Sequence, residues 1–165
     1  MSRIHQSDSR NNRRRLYVAY GSNMNVEQMK RRCPGAELVG PCRIIGHRLT
    51  FVDGVATIVK DSRETPGALW KITPQDEKRL DIYEGYPRAY RKQMVKVRHN
   101  GRVKEAMAYV ANSGRIYPPV YGYYETIKQG YRDLKFPEEL LDEAVLEVLM
   151  EPDDKRKQRI KGRRK

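Results

Sequence analysis

The stretch Leu16-Tyr17-Val18-Ala19-Tyr20-Gly21-Ser22-Asn23 constrains this chain more than any other. Residues 16–19 are apolar or aromatic and suit a buried strand, which Tyr20-Gly21-Ser22-Asn23 then breaks. Asn25 is placed to cap a helix in which Val26 and Met29 share one face, while Glu27 and Arg31 stand four apart as an exposed pair. A strand that stops at Gly-Ser-Asn just before a helix leaves backbone N–H groups pointing into one concave corner. Such a corner attracts anions, because orphan donors and the helix dipole both favour negative charge.

Further along, residues 36–46 and 47–52 carry Val, Ile, Leu and Phe in short runs broken by Gly40-Pro41 and Gly46, which suits two strands or one bent strand. Asp53-Gly54 turns into an apolar run at 55–59. A polar loop is expected at 60–66, then a second run at 67–72 with Trp70 in the core. Residues 90–98 alternate as a strand with Met94 and Val97 or Val95 facing inward, and Asn100-Gly101 signals a hairpin back through 102–111. Residues 112–119 read as a loop and 120–133 as a helix with Tyr124, Ile127 and Tyr131 on one side and Gly130 as a flaw. A last helix opens at Phe136-Pro137-Glu138-Glu139, with Leu141, Val145 and Val148 or Leu149 as its apolar stripe.

Thr73-Pro74-Gln75-Asp76 is a strong helix start, with a capping threonine, proline at the first position and an acid three residues after the cap. Gly85 ends that helix, so Glu84 falls in its last turn. A carboxylate is less comfortable at the negative end of the helix dipole, and Tyr83, Tyr86 and Tyr90 flank it with apolar surface. Both effects push its pKa upward, toward the range where a carboxyl gives and takes protons near neutral pH.

Charge is distributed unevenly. Of the net +13, residues 1–15 carry +4 and residues 151–165 carry +5, leaving +4 for everything between. Both ends read as basic disordered tails around one domain at 16–150, because they offer too little apolar surface to order. Cys33 and Cys42 lack metal-site spacing and read as ordinary thiols. No run is long enough to span a bilayer and the first residues lack a secretory hydrophobic stretch, so a cytoplasmic protein is expected. His47 follows a turn without an evident partner and reads as structural.

Leu-Tyr-Val-Ala-Tyr-Gly-Ser-Asn-Met resembles the opening signature of the γ-glutamylcyclotransferase-like (AIG2-like) family. The resemblance continues in order through Gly54-Val55-Ala56-Thr57-Ile58-Val59, Gly67-Ala68-Leu69-Trp70-Lys71-Ile72 and Leu80-Asp81-Ile82-Tyr83-Glu84-Gly85-Tyr86. Composition alone gives α+β. The resemblance implies a small mixed β-barrel-like sheet flanked by helices, with the turn and the glutamate meeting over one cavity. It implies Glu84 as the catalytic residue and Tyr17, Val18, Ala19, Tyr20, Gly21, Ser22 and Asn23 as the substrate site. Tyr124 matches a tyrosine that contacts substrate, with Tyr121 or Tyr123 as alternatives because the chain has about one extra residue there.

The activity so implied is cyclisation of a γ-glutamyl amide to 5-oxoproline with release of an amine, a lyase or acyltransferase reaction on a small molecule with no cofactor or metal. Free γ-glutamyl amino acids, γ-glutamyl-ε-lysine and γ-glutamylated antibiotic intermediates share the reacting half. Two other classes stay open: a non-catalytic binding module of the same fold, and a nucleic-acid-associated protein acting through its basic tails. The core carries no RNA-binding motif, helix-turn-helix signature or zinc spacing.

Overall fold

The structure is a computed structural model that describes residues 13–151 and 159–161. Its centre is a closed barrel in the order β1-β3-β2-β4-β5, formed by β1 (Arg15–Ala19), β2 (Glu37–Val52), β3 (Val55–Ile72), β4 (Tyr90–His99) and β5 (Arg102–Ala111). All neighbours are antiparallel except β1 and β5, whose parallel contact at Tyr17 and Met107 closes the barrel. Four helices flank it: α1 (Val26–Arg32), α2 (Pro74–Glu84), α3 (Tyr121–Asp133) and α4 (Glu139–Met150). Trp70, Phe51, Ile44, Leu69 and Met107 are fully buried in the barrel core. This α+β barrel is the fold that the resemblance implies.

Local chemistry sets the helix ends. Asn25 accepts a hydrogen bond from the Gln28 N–H and so caps α1, and the expected Glu27–Arg31 pair forms at 2.8 Å. On α2, Thr73 Oγ1 accepts from the Asp76 N–H while the Asp76 carboxylate accepts from the Thr73 N–H, each at 3.1 Å. Gly85 terminates α2 at φ 67°, a left-handed conformation that side chains resist. Asp76 is fully buried and also accepts from the Gly35 N–H, so the cap is tied to the loop after α1. Thr73→Ala is therefore expected to cost about 1 kcal/mol and to lower Tm by about 3 °C, read by thermal denaturation.

Several local expectations change. Glu37–Val52 form one bent strand, with register shifts between Leu38 and Gly40 and between Ile45 and His47. Residues 60–66 are not a loop: β3 runs through them, because the long β2 supplies backbone partners for Thr65 and Pro66 at Ile44 and Arg43. Their polarity marks a bulge and an outward charged face. The Asp61 carboxylate accepts from the Arg63 N–H, and the Arg63 guanidinium pairs with Glu147 of α4 at 2.5 Å. Met94 points outward, half exposed, while Val95 and Val97 face in; the Arg15 guanidinium lies against its sulfur at 3.7 Å. The hairpin at Asn100-Gly101 stands as expected, both residues taking positive φ.

Within the loop expected at 112–119, β6 (Ser113–Arg115) pairs antiparallel with β7 (Arg159–Lys161). That short strand falls inside the stretch read as a C-terminal tail, and Arg15, read as the end of the N-terminal tail, opens β1; residues 1–12, 152–158 and 162–165 lie outside the described residues. Among those described, no helix is long and apolar enough to cross a membrane. Both thiols are free and buried, and burial pushes Cys33 to about 11 and Cys42 to about 12, so neither is a ready nucleophile.

Gly130 is no flaw in α3. A Cβ at this position would lie 2.6 Å from the Met24 carbonyl carbon and 2.8 Å from the Asn25 nitrogen. The bare backbone lets α3 press directly on the turn at Ser22–Met24, a single 3-10 turn that carries β1 into α1. Asn25 Nδ2 donates to the Thr126 carbonyl at 3.2 Å, and the Val26 N–H donates to Asp133, which fastens the same contact.

Candidate active site

At the end of β1 the chain leaves the barrel and turns through Gly21-Ser22-Asn23, and this turn forms one wall of a cavity of about 210 Å³. That volume is small beside the roughly 300–1,000 Å³ of drug-sized sites, and it suits a small metabolite. Every residue of 17–23 lines it, together with Val55, Ala56, Tyr83, Glu84, Tyr90, Tyr109 and Tyr123. The turn from β1 and the last turn of α2 thus meet over one cavity.

Glu84 supplies the single carboxylate among these lining residues. Burial raises its pKa to about 7, and the field of Arg32 works in the opposite direction. Desolvation wins because its neighbours are mostly aromatic rings. Near neutral pH such a carboxyl exists in both protonation states, which a proton carrier needs.

The tyrosines are held by specific hydrogen bonds. Tyr20 donates to the Tyr109 carbonyl, and Tyr90 donates to the Ala56 carbonyl at 2.9 Å. The Tyr123 hydroxyl accepts from the Ala56 N–H at 3.0 Å. Tyr109 donates to Asp81 at 2.6 Å, and Lys92 bridges Asp81 and Glu77 behind it at 3.1 and 2.6 Å. Burial raises the pKa of Tyr17, Tyr20, Tyr90, Tyr109 and Tyr123, so these phenols stay neutral where Glu84 titrates. They wall the cavity with neutral, oriented hydroxyls.

The turn is braced as well. Asn23 Nδ2 donates to the Tyr17 hydroxyl at 3.1 Å, and Arg32 donates to Asn23 Oδ1. Ser22 Oγ and the Tyr83 hydroxyl share a hydrogen bond at 3.1 Å, which joins the turn to α2 one residue before Glu84. Gly21 leaves room for this geometry, since a Cβ there would sit 3.1 Å from Ala56 Cβ and 3.3 Å from the Tyr123 hydroxyl.

Tyr124 is the exception among the expected site residues. One residue along a helix turns the side chain by about 100°, and Tyr124 faces α4, where its hydroxyl donates to Asp142 and accepts from Lys128 at 2.9 Å. It lines a separate groove with Tyr121. Tyr123 takes the cavity position. Tyr90 and Tyr109 line the cavity although strand alternation does not mark them: in the β4–β5 ladder both share a face with the outward-pointing Met94. Arg32 gave no signal, since its partners come from three separate segments.

The family model for gamma-glutamyl cyclotransferase, AIG2-like, matches residues 17–131. The chain belongs to this family. The matched span contains the segments that line the cavity: the strand-to-helix turn, the start of β3 and the end of α2. A solved structure named gamma-glutamyl cyclotransferase is 26% identical with TM-score 0.73, covering 86% of this chain and 90% of its own. An uncharacterized protein from Homo sapiens gives the same figures. YkqA from Bacillus subtilis, 23% identical with TM-score 0.71, shares the fold over 90% of this chain and 59% of its own. No curated protein sequence matches the chain.

Proposed function

We propose that this member of the gamma-glutamyl cyclotransferase family cyclises a γ-glutamyl amide to 5-oxoproline and releases the amine. The observation that carries the reading is a lone carboxyl, poised near neutrality, facing a strand-to-helix turn across a small cavity of neutral tyrosines. A γ-glutamyl amide brings its own nucleophile. The α-amine attacks the γ-carbonyl, the carbon–nitrogen bond of a five-membered ring forms, and the bond to the leaving amine breaks.

Two tasks then fall to the protein. The first is to hold the substrate folded so that amine and carbonyl meet, a contribution of up to about 7–11 kcal/mol in the best intramolecular cases. A small concave site at the barrel end, walled by Tyr20, Tyr90 and Tyr123, supports that role. The second is to move one proton. The α-ammonium first loses one proton to solvent, which frees its lone pair; Glu84 takes the next from the attacking nitrogen and returns it to the leaving amine. Backbone N–H groups of Gly21 and Ser22 stabilise the oxyanion or a substrate carboxylate.

The pH dependence follows from the direction of the Glu84 shift. The base form is required, so kcat/KM for 5-oxoproline release rises about tenfold per unit below pH 7 and levels above it. Measuring release from pH 5 to 9 checks this. A profile that levels near the ordinary carboxyl value of 4.5 contradicts the assignment.

A further inference from the structure

Three contacts close into a loop beside Glu84 through the Ser22-Asn23 backbone, and Arg32 makes two of them. Its guanidinium donates to Asn23 Oδ1 and stacks over the Tyr83 ring, 3.3 Å from the centroid. Tyr83 in turn shares its hydroxyl with Ser22, and Asn23 holds Tyr17. With the Gln28 amide turned so that its oxygen faces the guanidinium, both terminal nitrogens of Arg32 lie 3.1 Å from it. The cation is thus partly buried, oriented by Asn23, Gln28 and Tyr83, and in direct contact with no carboxylate among the described residues. Arg32 stands behind the cavity wall and braces two residues that line it, Asn23 and Tyr83.

We propose that Arg32 is a positioning residue of this site: it fixes the turn against Tyr83, and so the separation of the turn from the Glu84 carboxyl, and supplies the positive field that keeps that carboxyl available as a base. The role rests on the reading of Glu84 as the proton carrier. Among the described residues, the other titratable groups lining the cavity with Glu84 are phenols: Tyr17 from β1, Tyr20 just after it, Tyr83 from α2 itself, Tyr90 from β4, Tyr109 from β5 and Tyr123 from α3. None of these supplies positive charge, and burial holds Tyr17, Tyr20, Tyr90, Tyr109 and Tyr123 in the neutral form through the range in which the carboxyl ionises. The Arg32 field is the opposing influence on Glu84, against desolvation.

A guanidinium meets both demands and an ammonium only one. Arg stacks flat on an aromatic ring and donates in a fixed fork, whereas Lys offers a point charge without that geometry. Charge and position are therefore separable by substitution. Arg32→Met removes both, and Arg32→Lys keeps the charge.

The test follows the Glu84 side-chain carboxyl by 13C NMR across pH in the free full-length protein, for wild type, Arg32→Met and Arg32→Lys, alongside 5-oxoproline release. The midpoint in Arg32→Met is expected to rise by about one unit, the low end for loss of a nearby opposite charge, and the rising limb of kcat/KM moves with it. In Arg32→Lys the midpoint is expected to stay near wild type while kcat falls about tenfold, the order of effect of a small misplacement. An unmoved midpoint in Arg32→Met overturns the proposal, even if activity is lost. Should Arg32→Met fail to fold, undiminished kcat in Arg32→Lys overturns it. Absence of 5-oxoproline from wild type refutes the reaction instead, and the NMR titration still decides the role of Arg32.

Discussion

Glu84→Gln is expected to release 5-oxoproline about 10³-fold more slowly than wild type, with KM changed less than about threefold. The loss is that of a positioned proton carrier, worth roughly 10²–10⁴ in rate, while the amide keeps the shape of the side chain and its place at the end of α2. The residual rate should be flat between pH 5 and 9, because the group that titrates in that range is gone. Steady-state kinetics across pH checks both points. Stability should move the other way. Raising a carboxyl from 4.5 to about 7 on folding means that the native state binds more protons between those values. Stability is therefore full below pH 4.5 and lost as pH rises to 7. Glutamine carries no such charge, so the variant is expected to be about 1–3 kcal/mol more stable than wild type at pH 8 and equal to it at pH 4, read by denaturant unfolding. An activity loss with no such gain would mean that Glu84 sits in a better-hydrated place than described.

Gly130→Ala is expected to destabilise the protein by about 2 kcal/mol and to lower kcat/KM about tenfold. Alanine normally favours a helix over glycine by about 1 kcal/mol. Here the added carbon would lie within 2.8 Å of backbone and side-chain atoms of Met24 and Asn25, so α3 must retreat from the turn. Overpacking of this kind costs roughly 1–3 kcal/mol and, with a backbone carbonyl carbon at 2.6 Å, exceeds the helical gain. The retreat reaches the site from two directions: Met24 follows Ser22 and Asn23, and α3 carries Tyr123. Gly122 of the same helix is the control, since a Cβ there meets nothing within 4 Å. Gly122→Ala should be neutral or slightly stabilising and should leave kcat/KM unchanged. Equal effects of the two substitutions in thermal unfolding and turnover would show that close packing of α3 on the turn is not what Gly130 provides.

The contrast between these glycines also shows where the sequence is readable. Features set by neighbours along the chain were legible: the Asn25 cap, the Thr73-Asp76 box, the left-handed end at Gly85, the Asn100-Gly101 hairpin. So was the site turn, since strand, break and cap follow each other within ten residues. The resemblance added what spacing could not, the meeting of that turn with Glu84. Features set by contacts from elsewhere were hidden. Polar residues 60–66 look like a loop until β2 offers them a ladder, and the rotation that separates Tyr123 from Tyr124 depends on how α3 packs against α4. Gly130 reads as a helix defect because its reason lies more than a hundred residues away in the sequence. Arg32, with partners at 23, 28 and 83, has no periodic or motif signature at all.

Product identity after incubation with a small panel of γ-glutamyl compounds tests the central claim most directly. Cyclisation by the substrate's own amine predicts 5-oxoproline and free amine in equal amounts, dependent on Glu84. Free glutamate as the product would place water, not the α-amine, as the nucleophile. That result would contradict the proposed mechanism.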